Sequence, residues 1–95
     1  MTKKTKSGYR YNFPAHTVVA EKDIDQQLNK IMSECEKLID AYNNVESLEH
    51  LVEECMDVIH ACETCLRITD IDLDIVHALV VGKNKRRGYY KEGQC

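Results

Sequence analysis

Apolar residues recur at intervals of three and four in three stretches of this chain, with polar segments between them. In the first, Leu28, Ile31, Cys35, Leu38 and Tyr42 form a stripe that Met32 and Ile39 widen, which is the period of an amphipathic helix and not of a strand. Asp23 is a good N-cap for it and Asn43 or Asn44 a common terminator, so the pattern predicts a first helix over about 23–44. The second stretch, Ser47 to Leu66, is the one around which the rest is organised. There Leu48, Leu51, Val52, Cys55, Val58, Ile59, Cys62 and Leu66 share one helical face. In the third, Ile71, Ile75, Val76, Leu79 and Val80 repeat behind Thr69 or Asp70 as cap, and Gly82 weakens the pattern near its end.

Only the few residues around Asn43 to Glu46 separate the first two helices, which predicts that they pack antiparallel. The fold class is therefore all-α, an antiparallel helical hairpin plus a third helix. Residues 1–22 precede it as an arm and 91–95 follow as a short tail. Within the arm, Tyr9-Arg10-Tyr11-Asn12-Phe13-Pro14 has no helical period. It reads either as an extended segment packed through its aromatic residues and Val18-Val19, or as a partly ordered tail.

Composition narrows the class further. With 95 residues there is room for one small domain, and one Pro and four Gly argue against a turn-rich β architecture. A chain this short buries a modest share of its surface, so association into a dimer is the expected way to complete a core. The net charge of -3 conceals an uneven distribution: Lys3, Lys4, Lys6 and Arg10 lie at one end, Lys83, Lys85, Arg86, Arg87 and Lys91 at the other, and the middle is acidic. That acidic middle argues against nucleic acid as the partner. No apolar run is long enough to span a bilayer, and the start MTKKTKSG lacks the apolar core of a secretion signal, so the chain reads as cytoplasmic with no membrane partner. Cys35, Cys55, Cys62, Cys65 and Cys95 are odd in number, and most of them fall on apolar helical faces, which favours reduced thiols. Cys62-x-x-Cys65 has neither a second pair nor a preceding strand to support a metal or redox role.

The candidate chemistry lies on the helix flanks. His50, Glu54, Asp57 and Ala61 stack beside the apolar face of the second helix, while Glu34, Lys37 and Ala41 line one flank of the first and Glu36 and Asp40 the other. Two acids one turn apart either are solvated or share a cation. A hairpin can bring acids of the first helix opposite Glu54 and Asp57. The run Lys83-Asn84-Lys85-Arg86-Arg87-Gly88-Tyr89-Tyr90 has three readings, a solvated terminus, a nucleic-acid patch or a phosphate clamp. His50 and His60 read as structural.

An acid-bearing helix, a short loop, a helix carrying Glu53-Glu54-x-x-Asp57-Val-Ile-His and a closing Lys83-Asn84-x-x-Arg87-Gly88-Tyr89-Tyr90 together resemble the MazG-like all-α nucleoside triphosphate pyrophosphohydrolases, above all the short forms carried by phages and their hosts. The resemblance covers the helical domain over 23–90. It implies a dimeric helical bundle, a homodimer or dimer of dimers, that hydrolyses an NTP or dNTP to monophosphate and pyrophosphate with Mg²⁺, for which Mn²⁺ is a possible substitute. Glu54 and Asp57 match the family's second acidic motif. The first motif reads Ser33-Glu34-x-x-Lys37, so Glu34 alone fits and Lys37 stands where a ligand carboxylate belongs. The resemblance thus implies Glu34, Glu54 and Asp57 as metal ligands and Glu53 or Glu36 as the acid orienting the attacking water. Lys83, Arg86 and Arg87 would hold phosphates, Asn84 would bond sugar or base, and Tyr89 would stack on the base. Lys37 keeps open an alternative, a catalytically weak or inactive binding or regulatory module on the same fold.

Overall fold

The computed structural model describes residues 9–16 and 23–91, and among them all regular structure is helical. Three helices follow in order, α1 over Ile24–Asn43, α2 over Leu48–Thr69 and α3 over Leu73–Arg86. The expected packing of Val18-Val19, the basic residues Lys3, Lys4 and Lys6, and Cys95 lie outside the described residues. No described helix is long and apolar enough to cross a membrane.

Each helix begins on an acceptor side chain that takes an otherwise unpaired N–H of the first turn. Asp23 Oδ1 accepts from Gln26 N at 2.8 Å and Ser47 Oγ from His50 N at 3.1 Å. For α3 the cap is Asp72, whose Oδ1 accepts from Asp74 N at 3.0 Å, and not Thr69 or Asp70. Those two residues are used by α2, which runs a turn past Leu66: Thr69 is its last residue and Asp70 its C-cap, in the left-handed region at φ 55°. Gly82 does not interrupt α3, which continues through the basic residues to Arg86.

The end of α1 is unusual. Glu46 N donates to Ala41 O at 3.1 Å and Val45 N to Tyr42 O at 3.2 Å, the pair of bonds that closes a helix when the residue after the C-cap turns left-handed. Glycine, or failing that asparagine, normally holds this place, but here it is Val45, at φ 55° and 90% exposed. Asn43 and Asn44, the expected terminators, instead stand at the last helical position and the C-cap.

The chain divides into two compact units, one of residues 11–70 and one made of the flanking segments. In the first, α1 and α2 pack against each other as the expected hairpin. Its antiparallel sense is fixed by two cross-contacts: Gln27 near the start of α1 donates through Nε2 to Ala61 O at 2.8 Å, and Glu34, two turns on, reaches back to Glu54 and Asp57. The most deeply buried positions lie on the helix flanks, and the apolar stripes are covered only in part, with Ile31, Cys35, Leu38, Leu51, Val58, Cys62 and Leu66 half-buried. Ala41 and Ala61 are buried with Gln27, Glu34, Glu63 and Thr64, whereas Leu28, Met32 and Ile39 of α1 and Val52, Met56 and Ile59 of α2 are exposed. The small side chains of Ala41, Ala61 and Thr64 allow close approach of the two helices, and part of the larger apolar set is left on an outer face.

In the second unit, α3 closes with Arg87 N on Lys83 O at 3.2 Å, Gly88 N on Lys85 O at 2.9 Å and Tyr89 N on Asn84 O at 3.0 Å. Gly88 takes φ 78°, which glycine adopts without strain. Tyr9 meets His77 edge-on, with ring centroids 5.9 Å apart.

Candidate functional site

Glu34 on α1 and Glu54 and Asp57 on α2 each turn a carboxylate oxygen toward a common point, and those three oxygens lie within 4.8 Å of one another. The spacing that brings Glu54 and Asp57 together is a single helical turn, and the antiparallel packing supplies Glu34 from across the hairpin. Glu34 is buried, Glu54 half-buried and Asp57 exposed, so the cluster grades from the helix interface to the surface.

Three like charges this close repel unless something positive balances them. Part of that balance comes from the chain itself. Glu34 Oε2 lies 2.9 Å from Lys30 Nζ and 3.8 Å from Lys37 Nζ. Glu54 Oε2 lies 3.4 Å from His50 Nε2. The other oxygens of these two glutamates, Glu34 Oε1 and Glu54 Oε1, are buried with no hydrogen-bond partner. Buried carboxylate oxygens without donors are costly, and hard oxygen ligands are what Mg²⁺ and Mn²⁺ take, so the donor set fits a divalent cation. The Lys30 ammonium bonded to Glu34 holds its carboxyl below the usual carboxylate value against the opposing effect of burial, with help from Lys37 and His60. Glu34 is thus kept ionised, as a metal ligand must be. The Lys37 side chain is more than half exposed and meets the cluster through Glu34.

Beside the acids lies a cavity of about 380 Å³ walled by Lys30, Glu34, Asp57, His60 and His16, with Gln27, Ala61 and Thr64 closing its other end. Glu36 and Glu53, expected to orient water, are exposed and are not among its lining residues. Glu36 lies on the other flank of α1. Glu53 sits 3.8 Å from His50 Nδ1, in a surface group in which His50 Nε2 also meets Glu46 at 3.0 Å.

The segment 11–16 was legible only as a possible extended arm, and the structure gives it a definite seat on α2. Glu63, 3% exposed, accepts from Asn12 N at 2.8 Å, Asn12 Nδ2 at 3.0 Å and Phe13 N at 2.9 Å. Arg67, one turn on, donates from Nη2 to Phe13 O at 2.8 Å while its guanidinium lies 3.8 Å over the Tyr11 ring. Phe13 stacks on His60 with centroids 4.6 Å apart, and His16 stacks on His60 at 5.6 Å. His60, read as structural, therefore belongs to the cavity wall, and Glu63, Arg67 and Gln27 were missed. Their signal in the sequence was faint: Glu63 and Arg67 are an ordinary i, i+4 pair until the arm is laid against them.

Of the residues expected to bind substrate, Lys83, Asn84 and Arg86 fall in the last turn of α3, Arg87 is its C-cap and Tyr89 follows, with the Arg87 guanidinium 6.0 Å from the Tyr89 ring. The capping bonds gather them at one helix end, where cations also oppose the negative pole of the helix dipole. Around Cys62, burial first and then the neighbouring Cys35 and Cys65 push the thiol pKa up, which suits an unreactive core thiol.

Compared with known proteins, the chain matches no protein-family model, no curated protein and no solved structure.

Proposed function

We propose that this chain is a Mg²⁺-dependent nucleoside triphosphate pyrophosphohydrolase of the MazG-like kind, releasing monophosphate and pyrophosphate from an NTP or dNTP. The observation that carries the proposal is the convergence of Glu34, Glu54 and Asp57 from two helices, with two buried carboxylate oxygens left without a donor. These three residues would hold the ion. When bound, it supplies charge neutralisation on the substrate phosphates and a polarised water. The chain's own contribution is to keep Glu34 ionised through Lys30, to seat the acids along one edge of a cavity and to present Lys30 there as a cation for phosphate oxygens. Lys83, Asn84, Arg86, Arg87 and Tyr89, gathered at the end of α3, are proposed as substrate ligands on the resemblance alone.

A dimer, as the family resemblance implies, is part of the same proposal. It is supported by the outer face of Leu28, Met32, Ile39, Val52, Met56 and Ile59, which the single chain leaves exposed. The second reading, a helical module that binds nucleotide without turnover, is supported by the pairing of Glu34 with both Lys30 and Lys37, a charge balance that needs less from a metal.

The experiment is pyrophosphate release from a panel of NTPs and dNTPs with Mg²⁺ or Mn²⁺, run beside Glu54→Gln and EDTA controls. Turnover lost in both controls supports the hydrolase. A folded protein with no turnover on any substrate moves the reading to the binding module.

A further inference from the structure

The hydrolase reading leaves half of the cavity without a role. Along α2 its lining runs from Asp57 through His60 and Ala61 to Thr64, and along α1 from Glu34 back to Gln27, so the acids occupy one end. At 1.5 Å per residue, His60 lies only about 4.5 Å along the axis from Asp57. A nucleotide whose phosphates lie at the acids must place its sugar and base against what comes next, and what comes next is a set of flat rings.

His16 and His60 stack with planes inclined by 22°, and Phe13 backs His60 at 16°. Holding the arm in place does not require His16. The clamp on residues 11–13 comes from Glu63 and Arg67, and Phe13 supplies the apolar contact, whereas His16 is exposed. Yet His16 borders both the acid-lined cavity and a second hollow of about 290 Å³ formed with Pro14, Ala15 and His60. His60 Nε2 is buried without a hydrogen-bond partner in this same wall. A planar, polar-edged ring is the ligand that such a wall accommodates, by stacking on imidazole and offering an edge atom to a ring nitrogen.

We propose that the clamped segment 11–16 is a wall of the ligand site and that His16, with His60 behind it, is the stacking platform for the nucleobase. The proposal rests on the nucleotide reading of the acid cluster and adds the base subsite to it. Glu63 and Arg67 are positioning residues, acting through the arm and not on the ligand.

The test is calorimetric titration of the full chain, in Mg²⁺, with a nucleoside triphosphate analogue carrying a non-hydrolysable α,β-imido bridge and, separately, with inorganic tripolyphosphate, which has no base. Base stacking on an aromatic side chain leads us to expect that the wild type prefers the nucleotide by about tenfold or more. His16→Ala should reduce that preference to about twofold or less with tripolyphosphate affinity unchanged, and His16→Phe, which keeps a flat ring, should restore it. Equal affinity for the two ligands in the wild type, no binding of either, or an undiminished preference in His16→Ala overturns the proposal. Base-dependent, His16-dependent binding without pyrophosphate release retains the subsite and removes only the hydrolase.

Discussion

Glu63 and Asn12 are joined twice, through the Asn12 backbone N–H at 2.8 Å and its side-chain amide at 3.0 Å, although 51 residues separate them in the chain. The carboxylate is nearly fully buried, so it persists there because its oxygens are met by N–H donors. Replacing Glu63 with Gln keeps the shape but removes the charge and turns an NH₂ group toward those donors. We expect a loss of about 2 kcal/mol in urea unfolding. The amides of Asn12 and Phe13 should lose their protection from hydrogen exchange, while those in the middle of α1 keep theirs.

Glu54 and Asp57 differ in exposure but share one predicted function. Glu54→Gln should weaken Mn²⁺ binding, read by electron paramagnetic resonance, by at least about tenfold, because a charged oxygen ligand becomes neutral. Lys37→Glu, which adds a carboxylate one turn from Glu34, should move affinity the other way. An unchanged Mn²⁺ titration in Glu54→Gln would remove the metal from the proposed function.

Lys30 keeps the Glu34 carboxyl titrating below its ordinary value of 4.5. A group depressed in the folded state contributes stability that is present above the unfolded value and is lost as pH falls through the folded one. In Lys30→Met the folded value should rise, so acid unfolding should begin at a higher pH than in the wild type. Above about pH 6 that stabilising contribution is constant in both proteins, and their pH profiles should run parallel. A circular-dichroism pH titration of the two proteins shows the displacement or its absence.

Val45 holds a left-handed conformation that costs a β-branched residue about 1–2 kcal/mol, and it is almost entirely exposed. Val45→Gly should therefore raise stability by roughly 0.5–1 kcal/mol after the greater freedom of glycine in the unfolded chain is discounted. Nucleotide binding should be unaffected.

Thiol chemistry separates the cysteines. Cys55 is exposed, whereas Cys62 is half-buried with its pKa raised, chiefly by burial. Timed alkylation with iodoacetamide near pH 7.5, followed by mass spectrometry, should label Cys55 first and Cys62 at least about tenfold more slowly, since only the thiolate reacts.

The helices were legible because their information is local. Asp23 and Ser47 cap where the periodic stretches begin, and Glu54 and Asp57 were already one turn apart before any packing was known. Hairpin packing predicted that acids of α1 would face Glu54 and Asp57, but only the family resemblance pointed to Glu34 among them. What could not be read came from contacts between distant residues. Nothing near Glu63 or Gln27 marks them as buried, His60 looks like any flank histidine until Phe13 and His16 stack on it, and Thr69 and Asp70 are as good caps in isolation as Asp72. The apolar stripes were found correctly, but the hairpin covers only part of each: Ile31, Cys35, Leu51 and Cys62 are half-buried while Leu28, Met32, Val52 and Ile59 are exposed. Periodicity shows that a face is apolar and not which surface covers it.

The clamp on the arm also imposes an order on assembly. α1 and α2 can zip together around their short connection, a local event, but Asn12 and Phe13 have no seat until Glu63 and Arg67 have been fixed in α2 about fifty residues later. On a ribosome the arm emerges before α2 and can be seated only after it. Any ligand wall that depends on His16 is then complete only when the hairpin beneath it is finished, so a chain halted before Glu63 has made every side chain of the arm and no seat for them.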